Sequence, residues 1–340
     1  MSDRDVPLAA RRVKSFRRTL LTWYDQHHRD LPWRRDRDPY RVWISEVMLQ
    51  QTRVAAVLDH YARFMRKFPT VQALAWARVA TVLAAWIGLG YYHRARRMHQ
   101  AARIIARERR GEFPRTAEEW LQLPGIGRYT AAAIASIAFS EPIAVVDGNV
   151  ERVLQRLFGP DTGRKDVWHR ASALLEWERP GDFNQAMMEF GATICTPRAP
   201  QCPACPLRQF CQLRGVGDPQ PHALRKREEL SYAFARKGTA AFLVQRSKDA
   251  SLMAGMWELP QLSPEQVNGH TPLLRLRHSI TDTDYRVTVF PASDRPTEAK
   301  GRWLAKPAWQ RLPLTGLARK ILTQLCSSAS ERKSRVSNCA

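Results

Sequence analysis

The sequence contains no stretch approaching about 18 consecutive apolar residues, so we expect no membrane-spanning helix. Its basic N-terminal region, which includes Arg11, Arg12 and Lys14, is not followed by an apolar segment, so we expect no secretory signal. Internal repeats and long low-complexity tracts are also absent. These absences exclude the membrane-spanning and repeat-protein classes and predict a cytoplasmic protein.

Acidic residues are scarce relative to basic ones. The 340 residues include 54 Lys and Arg but only 32 Asp and Glu, which gives a formal net charge of +22. Solubility alone needs a net charge of only about 2–8. The excess therefore indicates a polyanionic partner, with nucleic acid as the first interpretation and an anionic membrane surface as the second.

Cysteine is also rare, with six residues in all, but four of them are crowded into one short segment. These four are Cys195, Cys202, Cys205 and Cys211, with the spacing C-x6-C-x2-C-x5-C. Such crowding predicts a metal site rather than a disulfide framework. Four thiolates from one proline-rich loop favour a compact [4Fe–4S] cluster, with zinc as the alternative and buried free thiols as the weakest reading. Cys326 and Cys339 lie far away and are predicted to be free thiols.

Alternating strand patterns are nearly absent from the first two thirds of the chain, where apolar residues recur at helical spacing. This predicts a mainly α fold, with a helical domain over residues 1–212 that includes a cysteine loop over 195–211. Gly, Pro and charged residues predict a linker over 213–229. Short runs rich in Val, Thr and Phe predict a small α+β domain over 230–326, followed by a disordered tail over 327–340.

The stretch "LPGIGRYTAAAIA" combines two glycines with the start of a new helix. Gly125 and Gly127 predict a tight turn whose N–H groups can approach a phosphate, and the helix that begins near Arg128 adds a partial positive charge. With the charge of +22, this pattern favours a helix–hairpin–helix that holds the DNA backbone without reading its sequence. An ordinary connection between two helices is the alternative.

Two carboxylates stand in settings that suit acid–base work. In "VWISEVMLQQT", apolar neighbours would raise the pKa of Glu46 and keep a proton available for general acid catalysis, although a solvated glutamate is the alternative. Asp147 follows an apolar run and precedes a helix, where it can also serve as the N-cap. Two carboxyl groups facing one sugar carbon can cleave a glycosidic bond, one protonating the leaving group and the other stabilising the cation.

Together these motifs resemble the endonuclease III superfamily of DNA glycosylases. The stretches "LPWR", "WISEVMLQQT", "GLGYY", "VDGNVERV" and "FNQAMMEFGATICTP" narrow the resemblance to the adenine DNA glycosylases, the MutY group, over residues 16–211. The resemblance implies a helix–hairpin–helix core, a structural [4Fe–4S] cluster on the four cysteines, and base excision of adenine mispaired with 8-oxoguanine or G. It also implies a monomer that binds duplex DNA and associates with the nucleoid.

The same resemblance implies individual roles. Glu46 would protonate adenine N7, Asp147 would stabilise the oxocarbenium ion or bond to it transiently, and Tyr129 and Asn149 would support both. The implied DNA- and substrate-binding residues are Trp33, Arg34, Gln51, Thr52, Leu89, Gly90, Tyr91, Gly125 and Gly127. Of these, Trp33 and Arg34 would line the adenine pocket, while Gln51, Thr52, Leu89 and Tyr91 would wedge the duplex open, which helps to offset the cost of base extrusion.

The sequence departs from endonuclease III itself at Tyr129. Those relatives carry a lysine there, and its amine forms a Schiff base and nicks the strand. The missing nucleophile predicts a monofunctional hydrolase of the N-glycosidic bond. A non-catalytic iron–sulfur DNA-binding protein is the rival reading, but it gives no reason for Glu46 and Asp147 to coexist with the pocket motifs.

The second domain resembles the Nudix-related C-terminal domain of the family through "TAAFLVQRSKDASLMAGMWELP". No pyrophosphatase box follows Pro260, so nucleotide hydrolysis is not expected. The family checks for 8-oxoguanine with a Phe-Ser-His element, which is Ile280-Thr281-Asp282 here. Thr281 still offers a hydroxyl and is a predicted DNA contact, whereas Asp282 adds negative charge near DNA and can weaken the reading of the lesion.

Overall fold

The computed structural model describes residues 10–159, 162–213, 225–247, 249–250, 253–267, 270–280, 283–292 and 301–326. The chain divides into two compact units. The first comprises Met1–Trp76 and Arg97–Gln220, and the second comprises Ala77–Arg96 and Pro221–Ala340. The sequence placed residues 77–96 in the first domain, whereas the structure groups them with the second unit.

Helices make up the regular structure of the described residues before 213, as the apolar periodicity predicts. They are α1 (Ala10–His27), α2 (Pro39–Leu49), α3 (Val54–Lys67), α4 (Val71–Trp76), α5 (Val79–Ala85), α6 (Tyr92–Glu108), α7 (Ala117–Leu121), α8 (Arg128–Phe139), α9 (Gly148–Phe158), α10 (Arg164–Leu174) and α11 (Pro180–Thr193). The chain between Val71 and Ala85 forms two helices rather than one, because Arg78 has an extended backbone at the N-cap of α5. Thr116 and Glu119 form a capping box at the start of α7.

The core of the first unit places the helices that carry the predicted catalytic residues. Aromatic and aliphatic side chains of α1, α9 and α11, among them Phe16, Leu154 and Phe190, form one buried cluster. Helix α8 is built largely from alanine on its buried faces, so α2 and α11 can both pack closely against it. Gly181 shows how close this packing is, since a Cβ there would come within 2.6 Å of the backbone oxygen of Ser136.

The second unit is α+β, as the sequence predicts. Its strands are β1 (Lys226–Lys237), β2 (Ala240–Gln245), β3 (Trp257–Glu258), β4 (Gln261–Leu262), β5 (Leu274–Ile280), β6 (Thr283–Ala292) and β7 (Gly301–Ala305), and two helices follow, α12 (Lys306–Gln310) and α13 (Gly316–Cys326). The sheet order is β3-β2-β1-β6-β5, with β4 beside β1 and β7 beside β2. β1 starts inside the segment predicted as a linker, because it pairs in parallel with β6 from Lys226 onward.

Some predictions fall outside the described residues: those for Thr281 and Asp282, for Cys339, for most of the linker (214–224) and for the tail over 327–340. No helix within the described ranges combines the length and apolar character that crossing a membrane requires. Cys326 is a free thiol, in agreement with its prediction.

Candidate active site

A cleft in the first unit gathers most of the residues predicted to act on the substrate. It has an empty volume of about 740 Å³, counting the space open to solvent. The predicted residues that line it are Trp33, Arg34, Glu46, Thr52, Tyr129, Asp147 and Asn149. They come from the turn after α1, from α2 and the residues after it, and from the first turns of α8 and α9, so the fold assembles one site from four separate stretches of sequence.

Glu46 is a buried acid on α2, with only 5% of its surface exposed. The Tyr129 hydroxyl donates a hydrogen bond of 2.6 Å to Glu46 Oε2. Burial, with a smaller contribution from the negative charge of Asp147, raises the pKa of the Glu46 carboxyl to about 7 against the opposing effects of Tyr129 and Arg34. Glu46 can therefore hold a proton near neutral pH, as a general acid must.

Tyr129 is a fixed hydrogen-bond donor beside this acid. Desolvation and the charges of Glu46 and Asp147 raise the pKa of its phenol well above the usual value, so the hydroxyl stays protonated. The same oxygen lies 3.4 Å from Met188 Sδ on α11. An oxygen therefore stands at the position where a lyase would need an amine.

Asp147 caps α9 and borders the cleft at the same time. Its Oδ1 accepts hydrogen bonds from the backbone N–H groups of Asn149 (2.9 Å) and Val150 (2.7 Å). Its Oδ2 accepts from Asn149 Nδ2 at 2.9 Å. The N-cap reading is thus correct, and it is compatible with catalysis because capping fixes the carboxylate at the cleft wall.

A chain of hydrogen bonds continues from Asp147 to the cysteine loop. Asn149 Oδ1 accepts from Arg152 Nη2 at 2.9 Å, and Arg152 Nε donates to the backbone oxygen of Cys195 at 3.0 Å. The close approach of α11 depends on Gly191, because a Cβ there would lie 2.8 Å from the Asn149 Cβ. The geometry of the Asp147 carboxylate is therefore tied to that of the loop.

Glu189, on α11, is a cleft residue that the sequence analysis did not single out. It is 1% exposed, and it accepts hydrogen bonds from Arg29 Nε (2.6 Å) and Arg34 Nη2 (2.9 Å). Burial alone would raise the pKa of Glu189, but the two guanidinium groups outweigh it and lower the pKa, so the carboxylate stays charged. In "MMEFG", Glu189 is an acidic residue between apolar ones. Glu46 shows the same pattern in "WISEVML".

The four loop cysteines open onto one cavity with an empty volume of about 430 Å³. Apolar side chains such as Phe190 and Leu207 line the rest of the cavity. Arg156 Nη1 lies 3.3 Å from Cys195 Sγ and also donates to the backbone oxygen of Thr196 at 2.8 Å. Within the described part of the chain, no three Cys, His, Asp or Glu side chains come close enough together to hold one metal ion.

The predicted hairpin is present between α7 and α8. Gly125 has a φ of +81°, and a Cβ there would come within 2.6 Å of Arg97 Cβ, so glycine is required. Gly127 is exposed at the N-cap of α8 with open space beside it. Next to it, the Arg128 guanidinium stacks on the Trp168 ring at 3.7 Å from the ring centroid. Both glycines of the turn are exposed, and their contact with a phosphate backbone stays a prediction.

The remaining predicted contacts lie outside the cleft. Gln51 is exposed just after α2 and has a φ of +54°. Leu89, which is 5% exposed, belongs with Gly90 and Tyr91 to the segment grouped with the second unit. Their roles as DNA contacts stay predictions.

Known proteins resemble this chain in sequence and in structure. The profile of the HhH-GPD superfamily of base excision DNA repair proteins matches residues 44–177. The adenine DNA glycosylase of Rattus norvegicus is 43% identical over 333 residues, which cover 78% of this chain and 64% of that protein. The chain thus spans slightly less than two thirds of that relative.

Two solved structures resemble somewhat less than two thirds of the chain. A thermostable thymine-DNA glycosylase is 33% identical with a TM-score of 0.56, and the match covers 59% of this chain and 96% of that one. A non-covalent endonuclease III–DNA complex is 26% identical with a TM-score of 0.53, over 60% of this chain and 95% of that one.

Proposed function

The chain belongs to the HhH-GPD superfamily of base excision DNA repair proteins, and on this premise we propose that it excises adenine from duplex DNA. The proposed substrate is adenine opposite 8-oxoguanine or G, bound by a monomer. One observation carries the proposal: Glu46, a buried glutamate whose pKa is about 7, shares a cleft with Asp147, the aspartate that caps α9. The similarity to the rat adenine DNA glycosylase and to an endonuclease III bound to DNA supports it.

In this proposal Glu46 is the general acid. Tyr129 binds Oε2, which leaves Oε1 to deliver a proton to adenine N7. Protonation draws electrons from the ring, so the C1′–N9 bond breaks and its electron pair leaves with the base. Water then adds to C1′, and the proton it loses returns to Glu46.

Asp147 is the electrostatic partner of that acid. Its carboxylate is held by two backbone N–H groups and by Asn149, so it can face the deoxyribose without reorganising during the reaction. As the base departs, positive charge develops at C1′ and O4′, and a fixed negative charge nearby stabilises it.

We assign the recognition of adenine to Glu189, Arg29 and Arg34. The Glu189 carboxylate accepts four hydrogen bonds, three from Arg29 and one from Arg34, and in this proposal the exocyclic amine of adenine shares one of its oxygens with an arginine. Guanine would present a carbonyl oxygen to the same carboxylate and be repelled. Trp33 offers an aromatic face at the wall of the same cleft.

The direct test is an excision assay on a labelled duplex with adenine opposite 8-oxoguanine, heated in alkali after incubation. We expect cleavage at adenine, and no cleavage of a matched duplex with cytosine opposite 8-oxoguanine. Without alkali the strand should stay intact, and borohydride should trap no covalent complex, because Tyr129 cannot form a Schiff base. Binding without cleavage would favour the non-catalytic reading.

Excision should decline as the pH rises above about 7. The protonated form of Glu46 is the acid, and its raised pKa means that this form is present below about pH 7 and is lost above it. Single-turnover rates at saturating enzyme should therefore fall about tenfold per pH unit on the alkaline side. A rate that stays flat from neutral pH to pH 9 would remove Glu46 as the acid.

We further propose that Cys195, Cys202, Cys205 and Cys211 bind a [4Fe–4S] cluster. The residues fit such a group, because four thiols share one largely apolar cavity and the loop between them has only short 3-10 turns of its own. A bound cluster would cross-link the loop in place of a core. Burial raises the pKa of the Cys195 thiol, and the Arg156 guanidinium beside its Sγ partly offsets that effect by favouring the thiolate.

The purified chain should accordingly contain about four iron and four sulfide per molecule and absorb visible light. Cys205→Ser should lose most of that iron and the stability of the loop, while Cys326→Ser, a free cysteine in the other unit, should keep both. A colourless protein with stoichiometric zinc would contradict the proposal.

A further inference from the structure

The turn at residues 88–91, between α5 and α6, has an unusual backbone. Gly88 and Gly90 have φ values of +102° and +68°, and Tyr91 has a φ of +46°. L side chains rarely adopt this left-handed region, and a tyrosine there persists only where its surroundings impose the conformation. Such strain tends to occur at functional sites.

Two buried side chains hold the backbone of the 88–91 turn in this conformation. Trp86 is fully buried, and its indole N–H donates to the backbone oxygen of Gly90 at 3.1 Å. Arg94, 6% exposed, donates through Nη2 to the backbone oxygens of Leu89 (3.1 Å) and Gly90 (3.3 Å). Its guanidinium also lies 5.6 Å from the Trp86 ring centroid and 5.3 Å from that of Tyr91.

Arginine suits this task better than lysine does. Burial lowers the pKa of Arg94 to about 10, but the guanidinium still carries its charge at neutral pH. Its flat face can rest against two rings while its N–H groups reach carbonyl oxygens in the same plane. A lysine ammonium is a compact point charge and cannot do both.

We propose that Arg94 is a positioning residue that holds the 88–91 turn in the conformation with which the turn meets DNA during excision. This inference rests on the proposed function. Tyr91 remains partly exposed, and an aromatic ring on a rigid turn can stack on a base while the target nucleotide is extruded. A mobile turn would first have to be ordered on binding, which lowers the population ready to bind.

The first measurement follows the turn in the free protein. We would compare amide hydrogen exchange in the wild type, Arg94→Lys, Arg94→Met and the control Arg103→Met, which removes the same charge from an exposed site on α6. Exchange at residues 88–92 should rise about tenfold or more in both Arg94 variants, and only there, because charge-assisted hydrogen bonds are lost. Unchanged exchange in the turn would overturn the inference.

The second measurement follows excision at saturating enzyme on the adenine–8-oxoguanine duplex. The Arg94 variants should be slower by about tenfold, and Arg103→Met should be near the wild type. In the Glu46→Gln background, affinity for the mismatched duplex should fall more than affinity for a fully paired duplex. Equal losses of affinity for both duplexes would overturn the positioning role of Arg94. Normal excision rates in variants whose turn exchanges faster would also overturn it. A wild-type chain that excises no adenine would instead refute the proposed function, and the exchange result would still decide whether Arg94 holds the turn.

Discussion

Replacing Glu46 by glutamine should lower the single-turnover rate of adenine excision about 10³-fold, within the range for removal of a general acid. Glutamine has nearly the same shape and can still accept the hydrogen bond from Tyr129, so α2 and the cleft should keep their structure. It has no proton to give at any accessible pH. The residual rate should therefore also lose the decline above about pH 7 that the Glu46 carboxyl is expected to produce.

Binding separates this loss from a loss of structure. The variant should bind the adenine–8-oxoguanine duplex with nearly wild-type affinity, since the adenine pocket and the hairpin are unchanged. Glu118→Gln is the matched control, because the same chemical change is made at an exposed residue on α7. Retained excision by Glu46→Gln would remove Glu46 from the mechanism, and equal losses of rate and affinity would point to a structural role.

The acid could be found from the sequence because its signal is local. Trp43, Ile44, Val47 and Met48 flank the glutamate and favour its burial if the segment is a helix in a core, although the sequence left a solvated glutamate as the alternative. The structure confirms that burial, and the raised pKa follows from it. Helix positions were likewise readable, because apolar periodicity is a property of neighbouring residues.

The role of Glu189 could not be predicted from the residues next to it in the sequence. Its flanking residues give the same apolar signal, but its role depends on Arg29 and Arg34, which lie 155–160 residues away in the chain. No pattern within one segment reveals that the fold brings these guanidinium groups into contact with Glu189. The same limit applies to residues 77–96, whose grouping with the second unit depends on contacts with distant sequence.

The predicted end of the linker differs from the structure for a related reason. The polar, basic residues at the start of β1 read as part of a linker, since nothing in "KREEL" alternates cleanly. Pairing with β6 orders them, and the partner strand is more than fifty residues further along. The presence of strands in this unit could be predicted from the sequence. The residue at which β1 begins could not, because it depends on pairing with β6.

Replacing Asp147 by asparagine should also lower excision by about 10³-fold, while the fold is kept. Asparagine caps helices about as well as aspartate, so it can still accept the hydrogen bonds from the backbone N–H groups of Asn149 and Val150. The substitution removes the negative charge that opposes the cation forming at C1′, together with the hydrogen bond that Asn149 Nδ2 donates to Asp147 Oδ2. The barrier should therefore rise without a comparable loss of DNA binding.

Asp38→Asn provides the control for the capping role. Asp38 caps α2 in the same way, accepting from the backbone N–H groups of Tyr40 (2.8 Å) and Arg41 (3.2 Å), but it lies outside the cleft. Thermal unfolding should change little in either variant, and only Asp147→Asn should lose excision at saturating enzyme. If both variants lose activity to the same degree, capping accounts for the effect. If Asp147→Asn excises adenine normally, the fixed charge has no part in stabilising the sugar cation.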